Sequence, residues 1–424
     1  MKKKGNMIYV GFFFVLCLIP SVGMLLPQTQ GSATENRKLA IWPQLRTEEG
    51  WNTDFLSEAG EYFQDHFGFR QQLVTANALI NGKIFGVSTA DGVIQGKNGW
   101  LYYKDSLSDY LGTEPMSERA LFNVAHTLSM MQDYTEKSGA KFLFTIAPNK
   151  NTLYGENMPY YDRMIGSEDK NMDRIEAYLE KENVNYVNLK EILESSDEVL
   201  YHERDSHWNN KGAALAGDAL MTALDKEHTD YTQESYEECV DFTGDLDEML
   251  YPLALTEEKE IYYDKADVFA YVGEVESNFD PKITTVNPGS TGSLVMYRDS
   301  FGNAILPFFA NSYANAYFSR GIPYQMTDLA EHQADTVIVE RAERFLPEMA
   351  ENPPQMEAPQ LTVGAVMEPE MEENARGTVT AEVQGDLVKV SGLVDEAILD
   401  TDSRIAIRRN GGDTFEAFPL TLGQ

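Results

Sequence analysis

The hydrophobic pattern along the middle of the chain alternates between short apolar runs and longer stretches with helical spacing. Apolar runs at 141–147, 293–297 and 336–340 are typical of buried strands. Apolar residues three or four positions apart predict helices over 116–137 and 172–182. Because the strands alternate with helices, the pattern predicts an α/β fold with a mostly parallel sheet flanked by helices.

The same pattern predicts further elements on either side of these strands. They are a helix over 51–70, a strand–turn–strand over 87–103, a strand over 184–189, a helix that ends near Leu224, short strands at 260–263 and 268–272, a short helix or turn over 304–309, a strand over 313–318 and a helix over 323–333. We expect the aromatic side chains of the 51–70 helix to belong to the core.

Changes in composition divide the chain into segments. Residues 53–349 form the predicted α/β domain, within which 228–292 are acidic, rich in Tyr and without clear helical spacing. We interpret 228–292 as an insertion at the mouth of a functional site. Residues 350–376 are rich in Pro and Glu, which is typical of a linker. Alternating apolar and polar residues in 377–424 predict a small β module.

The N-terminus combines a cationic start with an apolar run. Lys2, Lys3 and Lys4 precede an apolar segment of about 20 residues, so residues 1–26 are a signal anchor or a signal peptide. No clear cleavage site follows, which favours the anchor. The positive-inside rule then predicts a single-pass cell-membrane protein whose extracytoplasmic domain follows a tether at 27–52. A secreted protein is the alternative.

The composition excludes some classes of function. The 424 residues include 68 acidic and 34 basic ones, and the formal net charge is −34. Binding to nucleic acid needs clusters of Lys and Arg against phosphates, so we expect no nucleic acid partner. Cys17 lies in the apolar run and Cys239 stands alone, which excludes a Cys-based metal site. The six His residues are scattered, and we predict neither a metal nor a cofactor.

The first candidate for chemistry is Asp205-Ser206-His207-Trp208, where a loop meets a predicted helix. On a loop, an Asp two residues before a His can face the same point, where it fixes the tautomer of the imidazole and stabilises its cation. Either Asn of the following Asn209-Asn210 pair can cap the helix. The alternative interpretation is a surface Asp, a half-buried His and a core Trp.

The second candidate follows the predicted strand at 293–297. Arg298-Asp299-Ser300-Phe301-Gly302 leads into a short apolar helix or turn, so Ser300 lies at a sharp strand-to-helix turn. This geometry exposes a nucleophile and offers backbone donors for an oxyanion. The alternative is that Ser300 only caps the helix. Because Ser300, Asp205 and His207 all follow predicted strands, we expect them at one edge of the sheet.

Together, Asp205-x-His207-Trp208 and Arg298-Asp299-Ser300-Phe301-Gly302 resemble the motifs of the DHHW family and of the SGNH-hydrolase-like domains of proteins that O-acetylate alginate in the periplasm. The resemblance covers residues 35–347. Further segments that fit the pattern are Glu35-Asn36-Arg37-Lys38-Leu39-Ala40, the run from Tyr62 to Arg70, Gly96-Lys97-Asn98-Gly99-Trp100-Leu101-Tyr102 and Ala147-Pro148-Asn149-Lys150. Ser206 stands where the family name has a second His, and we expect it to be a spacer.

The resemblance implies an SGNH-hydrolase-like fold in circularly permuted form, because SGNH hydrolases place the nucleophile first and here the Asp–His pair precedes the Ser. In the ordinary fold, Gly and Asn groups after the next two strands complete the oxyanion hole. The corresponding positions here are Ser319-Arg320-Gly321 and Glu340-Arg341, so the Asn is missing. The backbone amide of Ser300 then remains the main donor. We expect Arg341 to form a structural ion pair with Glu340 or Glu343.

The resemblance also implies an extracytoplasmic O-acetyltransferase, in which Ser300, His207 and Asp205 move an acetyl group to a cell-surface or exported polysaccharide. A membrane-bound O-acyltransferase would supply the acetyl group. Candidate substrate-binding residues near these motifs are Trp208, Arg298, Arg320 and Asn149. Two alternatives stay open: a catalytically weak protein that binds polysaccharide or acts as a scaffold, and an acetyl esterase that uses the same residues.

Overall fold

The architecture is given by a computed structural model, which describes residues 10–15, 18, 23, 40–47, 50–361, 379–384, 387–394, 399–408 and 412–420. Most of the predicted signal anchor, the first part of the tether, residues 362–376 of the predicted linker and residues 377–378 of the predicted β module lie outside the described residues. Among the residues that are described, no helix is both long and apolar enough to cross a membrane.

The strands in these ranges are, in chain order, β1 (Arg46–Thr47), β2 (Gly50–Trp51), β3 (Val93–Gln95), β4 (Leu101–Tyr103), β5 (Lys141–Ala147), β6 (Tyr186–Val187), β7 (Tyr236–Phe242), β8 (Glu258–Tyr263), β9 (Ala270–Tyr271), β10 (Lys282–Val286), β11 (Thr291–Tyr297), β12 (Tyr313–Ser319), β13 (Thr336–Ala342), β14 (Gln360–Leu361), β15 (Val379–Gln384), β16 (Leu387–Gly392), β17 (Ile405–Arg408) and β18 (Thr414–Ala417).

From residue 50 onwards, the α-helices are α1 (Phe55–His66), α2 (Arg70–Ile80), α3 (Leu107–Leu111), α4 (Glu118–Lys137), α5 (Lys150–Leu153), α6 (Asn171–Lys181), α7 (Leu189–Glu194), α8 (Asn210–Ala223), α9 (Asp245–Leu250), α10 (Gly302–Ser312), α11 (Asp328–Glu331) and α12 (Leu346–Met349). Short 3₁₀ turns occur at Lys104–Ser106, Gly155–Asn157, Tyr160–Met164, Tyr231–Gln233 and Glu343–Phe345, and a π-helical turn at Asn81–Phe85.

The largest sheet has seven strands in the order β6-β5-β13-β11-β12-β10-β9. From β6 to β12 each pair of neighbours is parallel, whereas β10 and β9 run antiparallel at one edge. The strongest predicted strands therefore occupy the centre of a mostly parallel sheet, and the α/β prediction is confirmed. Because the carboxyl ends of parallel strands meet at one edge, residues that follow β5, β11 and β13 lie near one another.

Side chains of the central strands enter cores on both faces of the sheet. On one face, Leu143 and Met296 pack with apolar residues of α8 and α10. On the other face, their neighbours Phe142 and Val295 pack with residues of α4 and α6. Successive side chains of a strand point to opposite faces, so a strand that is covered on both sides must be apolar throughout.

The segment 228–292 contributes more to the fold than an insertion would. It contains the antiparallel β7–β8 hairpin and the short helix α9. It also contains β9 and β10, which extend the main sheet beyond β12. The sequence pattern predicts strands near β8 and β9 but misses β7 and β10. In β7 five of the seven residues are exposed, which weakens the hydrophobic pattern. In β10 only one of five residues is exposed, but three of the five are Lys or Thr, so its sequence lacks an apolar run.

Two predicted helices differ from the observed ones. The helix expected over 51–70 ends at His66, and no residue of α1 is buried. The expectation that its aromatic residues belong to the core is wrong: the rings of Phe55 and Tyr62 instead pack edge-on against Trp42, at centroid distances of 6.1 and 5.2 Å. The helix expected over 323–333 is reduced to α11, because the backbone before it pairs with Gln355 in an extended bridge.

The C-terminal β module consists of the β15–β16 hairpin and a small sheet in the order β14-β18-β17. The small sheet packs against α4 and α6 through polar contacts. His126 of α4 contacts Glu416 of β18 at 2.8 Å, and Arg119 donates to the carbonyl of Ser403 at 2.6 Å. Lys181 of α6 pairs with Asp402 at 2.9 Å. The small sheet and the loop before β17 are thus fixed to the helices on one face of the main sheet.

Candidate active site

The strand β11 delivers Ser300 to the edge of the sheet through a tight turn. Asp299 fixes this turn: its Oδ1 accepts from the amide of Phe301 at 2.9 Å and its Oδ2 from the amide of Ala342 at 2.7 Å. Gly302 begins α10, and a Cβ atom there would lie 2.6 Å from the Cβ of Arg298. The close approach therefore requires glycine, and the half-buried Ser300 side chain is held at the start of a helix.

The loop that carries Asp205 and His207 is closed at its base. Tyr201 and Trp208 form a β-bridge, and Asn209 caps α8 by accepting from the amide of Gly212 at 3.0 Å. The Trp208 indole donates to the carbonyl of Phe301 at 3.1 Å. Because this bond joins the loop to the Ser300 turn, it fixes the position of His207 relative to Ser300.

The side chains of Ser300, His207 and Asp205 form one continuous chain of hydrogen bonds. Ser300 Oγ lies 2.8 Å from His207 Nε2, and His207 Nδ1 lies 2.8 Å from Asp205 Oδ1. Asp205 Oδ1 also accepts from the backbone amide of His207 at 2.8 Å. These contacts place the hydroxyl where Nε2 can take its proton and the carboxylate where it orients the ring. The structure thus brings the three predicted catalytic residues together.

Electrostatics favour a charged Asp205 and a basic His207. Burial opposes ionisation of Asp205, but the hydrogen bond and charge of His207 outweigh it, and the pKa of Asp205 lies well below its usual range. Burial lowers the pKa of His207, but the hydrogen bond to Asp205 and the charges of Asp205 and Asp245 raise it above its ordinary value. The ring is therefore a better proton acceptor than a free imidazole.

Asp245, at the start of α9, is a site residue that the sequence pattern does not reveal. Its amide donates to Asp205 Oδ2 at 2.8 Å, and its carboxylate accepts from the amide and the hydroxyl of Ser206 at 2.8 and 2.6 Å. Burial and the charge of Asp205 raise the pKa of Asp245. Ser206 is therefore more than a spacer, because it connects the loop to α9.

Asp205, His207 and Asp245 also lie close enough together to hold one cation. Their oxygen atoms, however, already accept hydrogen bonds from backbone amides, from Ser206 and from the His207 ring. A cation would have to displace these donors. The donor arrangement therefore fits acid–base chemistry better than metal binding.

A buried cation supports the same loop from behind. Lys150 Nζ donates to the carbonyls of His202 and Asp205, at 3.0 and 2.5 Å, and lies 5.5 and 5.1 Å from the ring centroids of Trp100 and Tyr102. Burial lowers the pKa of Lys150 to about 8. The two segments that carry these residues, 96–102 and 147–150, fit the family pattern in the sequence, but the pattern does not show that they meet beneath Asp205.

Two of the predicted substrate-binding residues, Trp208 and Arg298, are buried in the protein. Trp208 is only 2% exposed and packs against Phe301. Arg298 is also 2% exposed, and its guanidinium donates to the carbonyls of Asn278 and Asp280 at 3.0 Å each. Neither side chain is open to a substrate, so a direct substrate contact does not fit their positions. Both instead hold the backbone around Ser300.

The other two predicted residues lie after β5 and β12. Asn149 is buried, and its amide donates to Asp109 at 3.0 Å while its oxygen accepts from Arg344 at 3.3 Å. Arg320 is half-buried and donates to the carbonyl of Phe279 at 3.3 Å. No described contact joins Arg320 to Ser300 or His207. Asn149 is bound to Arg344, which follows β13 at the edge of the sheet.

The expectation for Arg341 is wrong in its partner. Its guanidinium pairs with Glu348 at 2.5 Å and not with Glu340 or Glu343. Glu340 instead accepts from the amide of Asp299 at 3.0 Å, behind the Ser300 turn. The reason is that β13 runs two residues further than the 336–340 pattern indicates. Glu340 and Arg341 therefore lie within the strand and not in the loop after it.

Comparison with known proteins finds a matching family model and a distant relative. Residues 93–272 match a family model described as SGNH hydrolase-like domain, acetyltransferase AlgX. This range includes Asp205, His207 and Asp245 and ends before Ser300. A probable alginate O-acetylase AlgJ of Pseudomonas syringae pv. tomato is 25% identical over 179 residues, which cover 41% of this chain and 43% of the relative. The match thus spans less than half of that relative's length.

Two solved structures resemble this chain at low sequence identity. A DHHW family protein from Eubacterium siraeum is 16% identical, with a TM-score of 0.45, and the match covers 60% of this chain and 91% of that one. The O-acetyltransferase domain of Pseudomonas putida AlgJ is 17% identical, with a TM-score of 0.41, and the match covers 60% and 92%.

The motif resemblance is confirmed by the family match and by the sheet that it predicts. The mixed seven-stranded sheet with helices on both faces is the core of the fold, and small extra sheets follow at the C-terminus. The fold is therefore SGNH hydrolase-like, and residues 93–272 are the part of the chain that the family model matches.

Proposed function

We propose that this protein is an O-acetyltransferase that moves an acetyl group to a hydroxyl of a polysaccharide. The observation that carries the proposal is the hydrogen-bonded chain from Ser300 Oγ through His207 to Asp205 at the carboxyl edge of the sheet. The choice of acetyl rests on the matching family and relative, which are described as an acetyltransferase and an alginate O-acetylase.

In the first half-reaction, Ser300 Oγ attacks the carbonyl carbon of an acetyl donor. His207 Nε2 takes the hydroxyl proton, and the carbonyl electron pair moves to the oxygen, which becomes an oxyanion. When the carbonyl re-forms, the bond to the leaving group breaks, and the leaving oxygen receives the proton from His207. Asp205 stays ionised and stabilises the imidazolium throughout. The product is an acetyl ester of Ser300.

In the second half-reaction, a sugar hydroxyl attacks the Ser300 acetyl ester. His207 takes the proton of that hydroxyl and returns it to Ser300 Oγ as the ester bond breaks. Water can attack in the same way, so transfer and hydrolysis differ only in which acceptor reaches the ester. An acetyl esterase would use the same residues with water as the acceptor.

The proposal extends to the place and partners of the protein. The domain works outside the cytoplasm, held to the cell membrane by residues 1–26, and a membrane-bound O-acyltransferase supplies acetyl groups. The acceptor is a cell-surface or exported polysaccharide. The apolar run behind three lysines supports the location, and the alginate-acetylating relative supports the class of acceptor.

The test is acetyl release and acetyl transfer from a chromogenic acetyl ester, with and without polysaccharide acceptors. We expect a burst of chromophore and a covalent acetyl group on Ser300 that is detectable by intact mass. Ser300→Ala and His207→Ala should each remove nearly all turnover, and the double variant should be hardly worse, because the residues act as a unit. Wild-type turnover by Ser300→Ala would reject the proposal and leave a polysaccharide-binding or scaffold protein. Acceptor-independent release alone would indicate an esterase.

A further inference from the structure

Arg344 lies in the turn after β13, near the edge of the sheet that carries Ser300. The strands β11 and β13 are parallel neighbours, with Tyr297 opposite Val339. Ser300 follows the first strand and Arg344 the second. The sequence pattern places Glu340 and Arg341 at the end of this strand. Because β13 continues to Ala342, the arginine that follows the strand is Arg344. That loop is where the ordinary fold carries its Asn donor.

Aromatic rings hold the guanidinium of Arg344 next to the Ser–His–Asp group. Its central carbon lies 5.4 Å from the ring centroid of Phe301 and 4.8 Å from that of Phe345. Phe301 directly follows Ser300, and its ring centroid is 4.9 Å from that of His207. Arg344 and His207 therefore pack against the same ring.

The guanidinium of Arg344 has hydrogen-bond donors that are not fully used. Among the described residues, no carboxylate lies within 4.0 Å of it, although the chain contains twice as many acidic as basic residues. Its hydrogen bond to Asn149 Oδ1 is long, at 3.3 Å, and its Nε is buried without an acceptor. The Nε atoms of Arg298 and Arg341 also lack an acceptor. Arg298, however, makes four other hydrogen bonds, and Arg341 has an ion pair with Glu348. Arg344 has neither, so a bound anionic oxygen would satisfy its charge and its donors.

The positive charge of Arg344 makes His207 a weaker base but would stabilise a bound anion. Its positive charge lowers the pKa of His207, whereas the neighbouring carboxylates Asp205 and Asp245 raise it. A cation that weakens the base is unfavourable in the resting site. Once His207 holds the proton and the acyl oxygen carries a negative charge, Arg344 and the imidazolium both stabilise that charge.

We infer that Arg344 is a catalytic residue that donates a hydrogen bond to the acyl oxygen while Ser300 attacks, in place of the missing Asn. The inference rests on the proposed function. As the Ser300 Oγ–carbon bond forms, the carbonyl electron pair moves to the acyl oxygen, the hydroxyl proton moves to His207, and Arg344 keeps all its protons. When the carbonyl re-forms, the leaving oxygen takes the proton from His207, and the hydrogen bond from Arg344 weakens.

The test compares Arg344→Ala and Arg344→Lys with wild type on a chromogenic acetyl ester. Loss of one oxyanion donor lowers kcat by about 10²–10³-fold, and we expect that loss for Arg344→Ala with little change in KM. Arg344→Lys should retain part of the rate, since it keeps the charge but not the planar donors. Added guanidinium ion should restore part of the Arg344→Ala rate, which a purely structural role would not allow.

The pH profile gives a second readout. Without the cation, the pKa of His207 rises, so the acid limb of kcat/KM should move to higher pH in Arg344→Ala. The matched control is Arg341→Met, because Arg341 packs against the same Phe345 ring at 4.6 Å but is paired with Glu348. We expect this control to keep kcat and its pH profile.

The outcomes separate this inference from the proposed function. If the wild-type protein releases no acetyl group, both are rejected. If the wild type and Arg344→Ala turn over equally, or Arg344→Ala loses no more than Arg341→Met, Arg344 is not the oxyanion donor while the function of Ser300 stands. A loss in Arg344→Ala that guanidinium does not restore, with an unchanged pH profile, likewise overturns the inference in favour of a packing role.

Discussion

At the scale of single residues, the charges around His207 act in opposite directions. Asp205 and Asp245 raise its pKa, and Arg344 lowers it. A general base works best when its pKa lies near the working pH, so in the proposed reaction the balance of these charges would set the pH range of turnover. Asp205 contacts the ring directly, whereas the carboxylate of Asp245 lies 3.7 Å from Nδ1 and acts through its charge and through Ser206.

Replacement of each carboxylate should therefore have a different effect. Asp205→Asn removes the acceptor that fixes the tautomer and should lower kcat by roughly 10⁴-fold, less than Ser300→Ala. Asp245→Asn keeps the backbone amide that holds Asp205, so kcat at the optimum should fall far less. Because it removes a charge that raises the pKa of His207, the acid limb of kcat/KM should shift to lower pH. A shift to higher pH, or no shift, would contradict the role given to Asp245.

Replacement of Lys150 tests how much its hydrogen bonds stabilise the loop that carries Asp205. Lys150→Met keeps the length of the side chain but leaves the carbonyls of His202, Glu203 and Asp205 without their donor. Unsatisfied buried acceptors cost about 1–3 kcal/mol each, so we expect the free energy of unfolding to fall by about 3 kcal/mol. Lys97→Met, at an exposed position nearby, is the control and should change stability little.

The same variant makes a prediction about pH. Burial lowers the pKa of Lys150 from 10.5 to about 8. Between these values the unfolded chain holds one more proton than the folded one, so this residue makes the folded state gain stability as pH rises from about 8 to 10.5. Lys150→Met should lack that gain. Urea unfolding of both proteins across this range measures it, and identical slopes would contradict it.

At the scale of elements, α9 and the Asp205 loop form one unit. The Asp247 side chain pairs with Arg204 and is fully buried, and the amide of Asp247 donates to the carbonyl of Arg204 at 3.2 Å. Gly244 allows this approach. A Cβ atom there would lie 2.3 Å from the carbonyl oxygen of Arg204 and 2.7 Å from the amide nitrogen of Asp205. The segment 228–292 thus completes the site with its own backbone.

Gly244→Ala should push α9 away from the loop, because the clashing atoms are backbone and cannot rotate aside. Overpacking of this kind costs about 1–3 kcal/mol, and we expect that loss in the free energy of unfolding together with a lower kcat, since Asp205 loses the amide of Asp245. Gly60→Ala is the control: its Cβ would meet nothing within 4 Å, so stability should be kept or improved. Equal behaviour of the two variants would reject the coupling of α9 to the loop.

At the scale of the whole molecule, a buried charged cluster joins the C-terminal module to the α/β domain. The His126 ring lies between Glu182 and Glu416, at 2.7 and 2.8 Å, and Arg404 approaches Glu182 at 3.3 Å. All three members of the His–Glu cluster are nearly inaccessible to solvent. Such a cluster is stable only while every member keeps its partners.

His126→Ala should release the small sheet. It leaves two buried carboxylates without the ring between them, which costs about 3 kcal/mol or more. Hydrogen exchange should show faster exchange in β17 and β18, while acetyl release by Ser300 continues. Lys181→Met removes the exposed pair with Asp402 and should change stability by less than about 1 kcal/mol. Unchanged protection of β17 and β18 in His126→Ala would show that other contacts hold the module.

The sequence alone determined the central sheet and the three residues at its edge. Apolar runs of strand length predict β5, β11, β12 and β13, because a strand covered on both faces must be apolar along its length. Ser300, His207 and Asp205 are recognisable because local geometry, a strand-to-helix turn and an Asp two residues before a His, shows in adjacent residues. Such short-range constraints involve neighbouring residues, so they can be recognised from the sequence without knowledge of the fold.

The tertiary structure decided which other charges surround that group. Asp245 lies 40 residues from Asp205 and Lys150 lies 55 residues from it, and neither spacing carries a periodic signal. Arg298 and Arg344 look alike in sequence, yet Arg298 is buried and donates to two backbone carbonyls at 3.0 Å, whereas the one described hydrogen bond of Arg344 is 3.3 Å long. Burial and partner choice depend on how distant segments pack, and a difference of two residues in the length of β13 is enough to decide which arginine reaches the site.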